Sequence, residues 1–205
     1  MQDDLKLIGV AGTNGSGKDT VGHILAEHYG FLFITVTDLL RDECRKRGLA
    51  VERENLRMVS AEWRRESGTG VLVDKAVEAF RNLPDADRYA GLVIASLRNP
   101  GENDRVHELD GTVLWVDAKP KVRYDRIQKN ADSRGRAAED TKTFEQFLAE
   151  EEAEMHPPEG ADAAMLNMSA VKDNADLFVE NNSSNLHTFE LQVATVLGLP
   201  PHKEG

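Results

Sequence analysis

The chain has 205 residues, of which 40% are hydrophobic, 30% charged and 6% aromatic. That length and apolar content suffice for one domain with its own core, and they exclude a disordered or fibrous chain. The 25 basic and 36 acidic residues give a net charge of −11, which argues against a protein that holds nucleic acid by its backbone.

Five short apolar runs predict strands, at Leu5–Val10, Phe31–Val36, Leu92–Ala95, Thr112–Asp117 and Leu177–Glu180. Segments with helical spacing lie between or after them, at Lys18–Tyr29, Asp38–Arg47, Asn55–Glu66, Val71–Arg81, Glu102–Leu109, Pro120–Lys129, Phe144–Glu154 and Asn185–Leu197. The second of these helices has Thr37 as its candidate N-cap. The alternation predicts an α/β fold with a mainly parallel sheet.

Two intervals between predicted strands, 37–90 and 118–176, are too long for simple crossovers. Long insertions in an α/β core commonly cover a substrate. Within the second interval, acidic residues cluster on one predicted helix, and the simplest interpretation is a solvated helix face. The cluster consists of Glu150, Glu151, Glu152 and Glu154.

The strongest motif is a glycine-rich stretch that follows the first strand and opens the first helix. Glycines let the backbone turn tightly and aim its N–H groups at phosphate, while a lysine reaches the terminal phosphates. The motif predicts nucleotide binding by Gly12, Asn14, Gly15, Ser16, Gly17, Lys18, Asp19 and Thr20. Asp19 stands where a Ser or Thr normally ligates Mg²⁺, and a carboxylate oxygen is a suitable ligand for the same ion.

The cysteine usage and the N-terminus indicate a soluble cytoplasmic protein. The single cysteine, Cys44, cannot form an internal disulfide, which fits a reducing compartment. Two acidic residues precede the first apolar run, whereas a secretory signal begins with basic residues. We therefore expect neither a membrane nor a nucleic acid as partner.

Residues 5–47 resemble the P-loop kinases of small molecules, the group of nucleoside monophosphate kinases and dephospho-CoA kinases. Thr35 to Arg41 is similar to the second-strand motif of adenylate kinases, in which Thr, Asp and Arg line the acceptor site. Val93 to Arg98 is similar to their third-strand motif. Asp176 to Asn182 is similar to the closing strand of dephospho-CoA kinases, which implies that Asn181 contacts the bound nucleotide.

The resemblance implies a three-layer P-loop fold with a five-stranded sheet in the order 2-3-1-4-5. It implies one kinase domain over residues 1–205, with an acceptor-binding helical insertion at 37–90 and a lid at about 130–160. ATP and Mg²⁺ are the implied cofactors. Thr37, Asp38, Arg41 and Arg98 are the implied acceptor-binding residues.

The implied catalytic residues supply positive charge, because phosphoryl transfer needs mostly positioning and charge stabilisation. Arg123 and Arg126 lie three apart on one helix, and one of them reaching phosphate is favoured over both. Together with the proposed base or orienting group, the expected catalytic set is Lys18, Asp38, Arg98, Arg126, Arg134 and Arg136.

Two positions bear on the metal. The family's third-strand Asp is Ala95 here, followed by Ser96, so we hypothesise that Asp19 holds Mg²⁺ while Ser96 contributes only hydrogen bonds. The fourth strand ends in Asp117 and looks like a metal-binding strand by itself, but its position favours a structural role.

The acceptor stays open at this point. Asp38 would be a general base for a hydroxyl acceptor such as dephospho-CoA, or would orient Arg41 for a phosphate acceptor such as a (deoxy)nucleoside monophosphate. Phosphomevalonate is a weaker candidate. The alternative from another class is a nucleotide-binding regulator or weak ATPase. The oligomeric state, monomer or homodimer, is also open.

Overall fold

The computed structural model describes residues 5–129 and 142–201 and contains a five-stranded sheet. The strands are β1 (Leu7–Gly12), β2 (Leu32–Thr35), β3 (Leu92–Leu97), β4 (Thr112–Asp117) and β5 (Leu177–Glu180). Their spatial order is β2-β3-β1-β4-β5, and every neighbouring pair is parallel. The predicted fold class and strand order are confirmed.

Helices cover both faces of the sheet. They are α1 (Lys18–Tyr29), α2 (Val36–Lys46), α3 (Arg53–Ser67), α4 (Val71–Arg81), α5 (Pro100–Glu108), α6 (Pro120–Lys129), α7 (Phe144–Met155), α8 (Met168–Asp173) and α9 (Leu186–Val196). Periodicity does not predict α8, because a six-residue helix is too short to show it. Within the residues that the structure describes, no helix is both long and apolar enough to cross a bilayer.

Helix α2 begins earlier than the sequence predicts. The Thr35 hydroxyl accepts a hydrogen bond from the Asp38 amide at 2.9 Å, so Thr35 is the N-cap and not Thr37. Val36, predicted to end the strand, is buried as the first helical residue. As a result Thr37 and Asp38 lie on the first turn of α2, with Arg41 one turn further on.

The sheet separates two hydrophobic clusters. Helices α2 to α5 and α8 pack on one face, where Leu72, Val106 and Val171 are fully buried. Helices α1 and α9 pack on the other, around Leu25 and Phe189. Burial of one such large side chain contributes about 1.5–3 kcal/mol. Every residue of β1 and β3 is buried, so these two strands form a rigid base.

The central strands bring three chain segments together at one edge of the sheet. β1 lies between β3 and β4, so the residues that follow their carboxyl ends are neighbours. Val10 pairs with Ala95 while Ala11 pairs with Leu97, which leaves Ser96 as the extra residue of a bulge with a φ of 72°. A bulge of this kind redirects a side chain at a strand end.

Candidate active site

The loop between β1 and α1 is shaped by glycine. Gly17 precedes α1 with a φ of 105°, which a residue with a side chain rarely adopts. A Cβ added to Gly12 would lie 2.0 Å from the carbonyl oxygen of Val116. Among the described residues, no side chain caps the N-terminus of α1. Its first N–H groups are therefore available to an anion.

Lys18 is buried beneath this loop. Its Nζ donates to the carbonyl oxygen of Thr13 at 2.7 Å. Burial and the neighbouring charge of Arg98 lower the pKa of Lys18 to about 7. The hydroxyl of Ser16 is also buried, and within the described residues it has no hydrogen-bond partner. A buried lysine whose direct partner among the described residues is a carbonyl oxygen, together with an unsatisfied hydroxyl, fits a polyphosphate, which would bind both.

A cavity of about 560 Å³, here called the loop cavity, opens in front of Lys18 and Asp19. Arg126 lies on its wall, where its Nη2 donates to the carbonyl oxygen of Ser183 at 2.8 Å, while its Nη1 is buried without a partner in the described chain. Burial lowers the pKa of Arg126. Asn181 donates from Nδ2 to the carbonyl oxygen of Ser16 at 2.9 Å, which supports the loop from behind.

The two candidate metal carboxylates differ in their surroundings. Asp19 lies on the first turn of α1, is exposed and borders the loop cavity. Asp117 accepts from the Thr13 hydroxyl at 2.9 Å and from the Ala118 amide at 2.8 Å. Within residues 5–129 and 142–201, no group of three or more His, Cys, Asp or Glu side chains forms a metal site. A metal here would need phosphate or water oxygens as further ligands.

A second cavity of about 830 Å³, here called the helical cavity, lies beside α2 and α3. Asp38 is fixed at its entrance, since Oδ2 accepts from the Thr35 hydroxyl at 2.7 Å and Oδ1 accepts from Arg41 Nη1 at 2.8 Å. Further arginines on its wall come from both helices and from the end of β3, namely Arg45, Arg53, Arg57, Arg64 and Arg98. The cavity is thus rich in donors for anionic groups.

The loop cavity and the helical cavity meet. The residues that border both are Asn14, Thr37, Asp38, Arg41, Ser96 and Arg98. Five of these belong to the sets predicted for nucleotide and acceptor binding, and Ser96 is the residue expected to contribute hydrogen bonds beside the metal. The structure therefore places the four predicted acceptor-binding residues and Asn14 of the nucleotide-binding set around one junction.

Position 95 does not face this junction. Ala95 is fully buried in the cluster formed with α1 and α9. The bulge instead presents Ser96 to both cavities. A carboxylate at position 95 of this backbone would point into the core and away from the junction.

A hydrogen bond from its backbone N–H fixes the position of Arg98. The fully buried carboxylate of Glu102 accepts from the Arg98 amide at 2.6 Å and from Arg64 Nη2 at 2.7 Å. By sequence spacing, Glu102 could contact either Arg98 or Arg105. The structure shows the first contact and not the second, because Arg105 donates to Asp74 and Glu108.

The prediction of a solvated acidic face on α7 is wrong for Glu151 and Glu154, which are largely buried. Glu150 pairs with Arg53 at 3.1 Å, and Glu151 pairs with Arg123. Glu154 accepts from both Arg57 and Arg98. Glu150 and Glu152 are more exposed, with 42% and 74% of their side chains accessible. Sequence reasoning missed Arg53, Arg57 and Glu154, although Arg53 and Arg57 have the same four-residue spacing as Glu150 and Glu154.

The predicted arginines fall into three groups. Arg98 and Arg126 border the loop cavity. Arg123 is buried against Glu151 and the Ala118 carbonyl oxygen. Arg134 and Arg136 lie outside the described residues.

Residues 8–155 match the family described as an AAA domain. A UPF0200 protein of Pyrobaculum aerophilum is 28% identical over 195 residues, which cover 94% of this chain and 97% of that protein. A UPF0200 protein of Pyrococcus horikoshii is 30% identical over 158 residues, which cover 73% of this chain and 78% of that protein.

Solved structures with the same fold include the shikimate kinase of Acinetobacter baumannii in complex with shikimate, with a TM-score of 0.58 and 16% identity over 95% of this chain and 94% of that one. The tunicamycin resistance protein of Deinococcus radiodurans has a TM-score of 0.56 and 12% identity over 98% of this chain and 99% of that one. The fold is that of P-loop kinases, and such a fold implies nucleotide binding. The family match spans more than half of the sequence, so the chain belongs to the AAA domain family and is one of the UPF0200 proteins.

Proposed function

We propose that the protein is an ATP-dependent phosphotransferase that moves the γ-phosphate of MgATP to a small phosphorylated metabolite, with a (deoxy)nucleoside monophosphate as the preferred acceptor. The observation that carries this proposal is the junction of two cavities beside Lys18. A hydrolase or a regulator needs only the loop cavity. A kinase needs both, because donor and acceptor must meet in line.

ATP fits the loop cavity in this proposal. The N-terminus of α1, Lys18 and the unsatisfied hydroxyl of Ser16 would hold its phosphates. Mg²⁺ would neutralise charge on the transferred group and orient it. Asp19 would hold that ion, directly or through water, because its carboxylate is exposed to the cavity while that of Asp117 is bound to Thr13.

The transfer needs an acceptor oxygen to attack the γ-phosphorus. A bond forms between that oxygen and phosphorus, the bond to the β–γ bridging oxygen breaks, and ADP leaves with the electron pair. Lys18, Arg98 and Arg126 border the cavity where this charge develops. Arg134 and Arg136 remain predicted contributors on residues outside the described ranges.

Asp38 favours a phosphate as the attacking group. Both of its oxygens already accept hydrogen bonds, from Thr35 and from Arg41. In this arrangement it orients Arg41, and Arg41 is placed to hold an anion. Dephospho-CoA would offer a hydroxyl, whose proton Asp38 would have to accept. An ionised phosphate has no such proton to give up at neutral pH.

The test is ADP release from MgATP, followed by a coupled spectrophotometric assay, with each ribo- and deoxyribonucleoside monophosphate, dephospho-CoA, phosphomevalonate and shikimate as acceptors. We expect a strong response to one or a few nucleoside monophosphates and little ADP release without acceptor. A response to dephospho-CoA alone would make Asp38 the base. ATP binding without transfer to any acceptor would contradict the proposal and favour a nucleotide-binding regulator.

A further inference from the structure

The carboxylate of Glu154 bridges two arginines of the helical cavity. Glu154 Oε2 accepts from Arg98 Nη1 at 2.7 Å, and Oε1 accepts from Arg57 Nη2 at 2.8 Å. The two arginines come from different elements, the end of β3 and the middle of α3. The Glu154 side chain is 15% exposed and borders the helical cavity. An anionic group therefore already occupies the position between them.

The charge on this carboxylate is secured by its neighbours. Burial alone would raise the pKa of Glu154, but Arg98, Arg53 and Arg57 together hold it below its usual value. Glu154 thus stays ionised at neutral pH. It neutralises Arg98, one of the residues at the junction with the loop cavity, as long as nothing else binds there.

We propose that Glu154 occupies the anion subsite of the acceptor and is displaced from Arg98 and Arg57 when an anionic group of the acceptor binds. The inference rests on the proposed function and deepens it. It assigns Arg57 and Arg98 as the anion-binding pair and Glu154 as the residue that sets specificity. Its two oxygens stand in for two oxygens of a phosphate or carboxylate group on the acceptor.

This arrangement selects the class of acceptor. A phosphate or carboxylate can replace Glu154, because it offers both arginines the same kind of charged acceptor. A neutral hydroxyl compound cannot, since displacing Glu154 would leave the partly buried guanidinium group of Arg98 and the half-exposed one of Arg57 without a counter-charge. The expected acceptors therefore carry an anionic group besides the oxygen that receives phosphate, or receive phosphate on the anionic group itself.

Helix α7 does not depend on Glu154 for its position. Glu151 pairs with the buried Arg123, and Glu150 pairs with Arg53. Phe147 is buried and packs against Tyr124. These contacts lie on the same helix and remain when Glu154 is replaced, so its side chain is able to leave the two arginines without unfolding α7.

The experiment measures anion binding directly, so it does not need the natural acceptor. Inorganic phosphate is titrated calorimetrically into the full chain at saturating MgADP, for wild type, Glu154→Gln and the control Glu152→Gln on the exposed face of α7. We expect at least a fivefold lower phosphate Kd for Glu154→Gln and no change for Glu152→Gln. Adding Arg98→Met to Glu154→Gln should abolish the gain.

Two results would overturn the inference: an unchanged phosphate Kd in folded Glu154→Gln, or a gain that survives Arg98→Met. If Glu154→Gln does not fold, Glu154→Ala decides by the same criterion, because it also removes the carboxylate that competes with phosphate. A wild type that binds no MgADP would refute the proposed function instead. The phosphate titration without nucleotide would then still test Glu154.

Discussion

We expect nucleotide binding to be coupled to protonation of the Lys18 amine. Burial lowers its pKa to about 7 in the free protein, so a neutral amine is populated at neutral pH and dominates as the pH rises further. Phosphates beside it favour the charged form and so raise this pKa. Above pH 7 binding must therefore take up a proton, and we expect the Kd of MgATP to rise up to about tenfold per pH unit. Calorimetry at pH 8 in two buffers of different ionisation enthalpy measures the uptake.

Lys18→Met should remove both the proton uptake and most of the affinity. Lys129 is an exposed lysine at the same cavity, and Lys129→Met should remove neither.

The pH dependence of stability gives a second check. The folded pKa lies below the usual 10.5, so the unfolded chain binds more protons between pH 7 and 10.5. Wild type should gain stability over Lys18→Met as the pH rises through this window. A Kd that is flat from pH 7 to 9 would contradict the assignment.

A Mg²⁺ titration distinguishes Asp19 from Asp117 as the residue that holds the metal. If Asp19 holds Mg²⁺, Asp19→Ala should raise the Mg²⁺ concentration for half-maximal ADP release about tenfold or more, and Asp19→Ser should restore part of it. Asp117→Ala removes the acceptor of the Thr13 hydroxyl, so it should weaken nucleotide binding at any Mg²⁺ concentration. A reversed pattern in a Mg²⁺ titration would transfer the metal to Asp117.

At the level of the elements, Arg64 and Glu102 link α3, α5 and the end of β3. Both side chains are buried, and Glu102 also accepts from the Arg98 amide. Arg64→Met leaves this carboxylate buried without its counter-charge. We expect a loss of about 3–5 kcal/mol in the free energy of unfolding. Thermal or urea unfolding measures it.

The neighbouring arginine on the same helix is the matched control. Arg65 pairs with Asp162 at the surface, where 57% and 43% of the two side chains are exposed. Arg65→Met should cost at most about 1 kcal/mol. If both substitutions cost the same, the buried pair does not stabilise the junction between α3 and β3.

Elements with strong periodicity were predictable from the sequence, while contacts between distant segments were not. The runs that became β1, β3 and β4 are apolar enough to identify buried strands without a structure. The bulge at Ser96 leaves no such pattern. Likewise, the matching charges of α3 and α7 are visible in the sequence, but 97 residues separate Arg57 from Glu154. Only the fold shows that they meet.

The cap of α2 is a similar case at shorter range. Thr35 and Thr37 are both good N-cap residues, and the sequence favours the second because a strand through Val36 extends the apolar run. The core decides between them, since Val36 packs against the helices of the first cluster. The two-residue shift puts Thr37 and Asp38 on a rigid helical turn at the junction of the cavities.

The whole molecule combines an acidic chain with an arginine-rich cleft. The net charge is −11, yet six arginines border the helical cavity. Fixed positive charge in a cleft of an acidic protein concentrates small anions there. Many of these arginines are already paired with carboxylates. An anion is therefore selected by its ability to replace a carboxylate on an arginine more than by net electrostatic attraction.

The junction of the two cavities predicts that one ligand can fill both. Dinucleoside polyphosphates of increasing length join a nucleotide in the loop cavity to one in the helical cavity. The second contact then becomes intramolecular, so a linker of the right length should bind about 10²–10⁴-fold tighter than ATP alone. We expect an optimum among diadenosine compounds with four, five and six phosphates, measured by calorimetry at constant ionic strength.

Arg98→Met should reduce the gain from the linker more than it reduces ATP binding, because Arg98 borders both cavities. Affinity that rises steadily with phosphate number and is indifferent to Arg98→Met would mean that charge alone drives binding, and the two cavities would not be a paired donor and acceptor site.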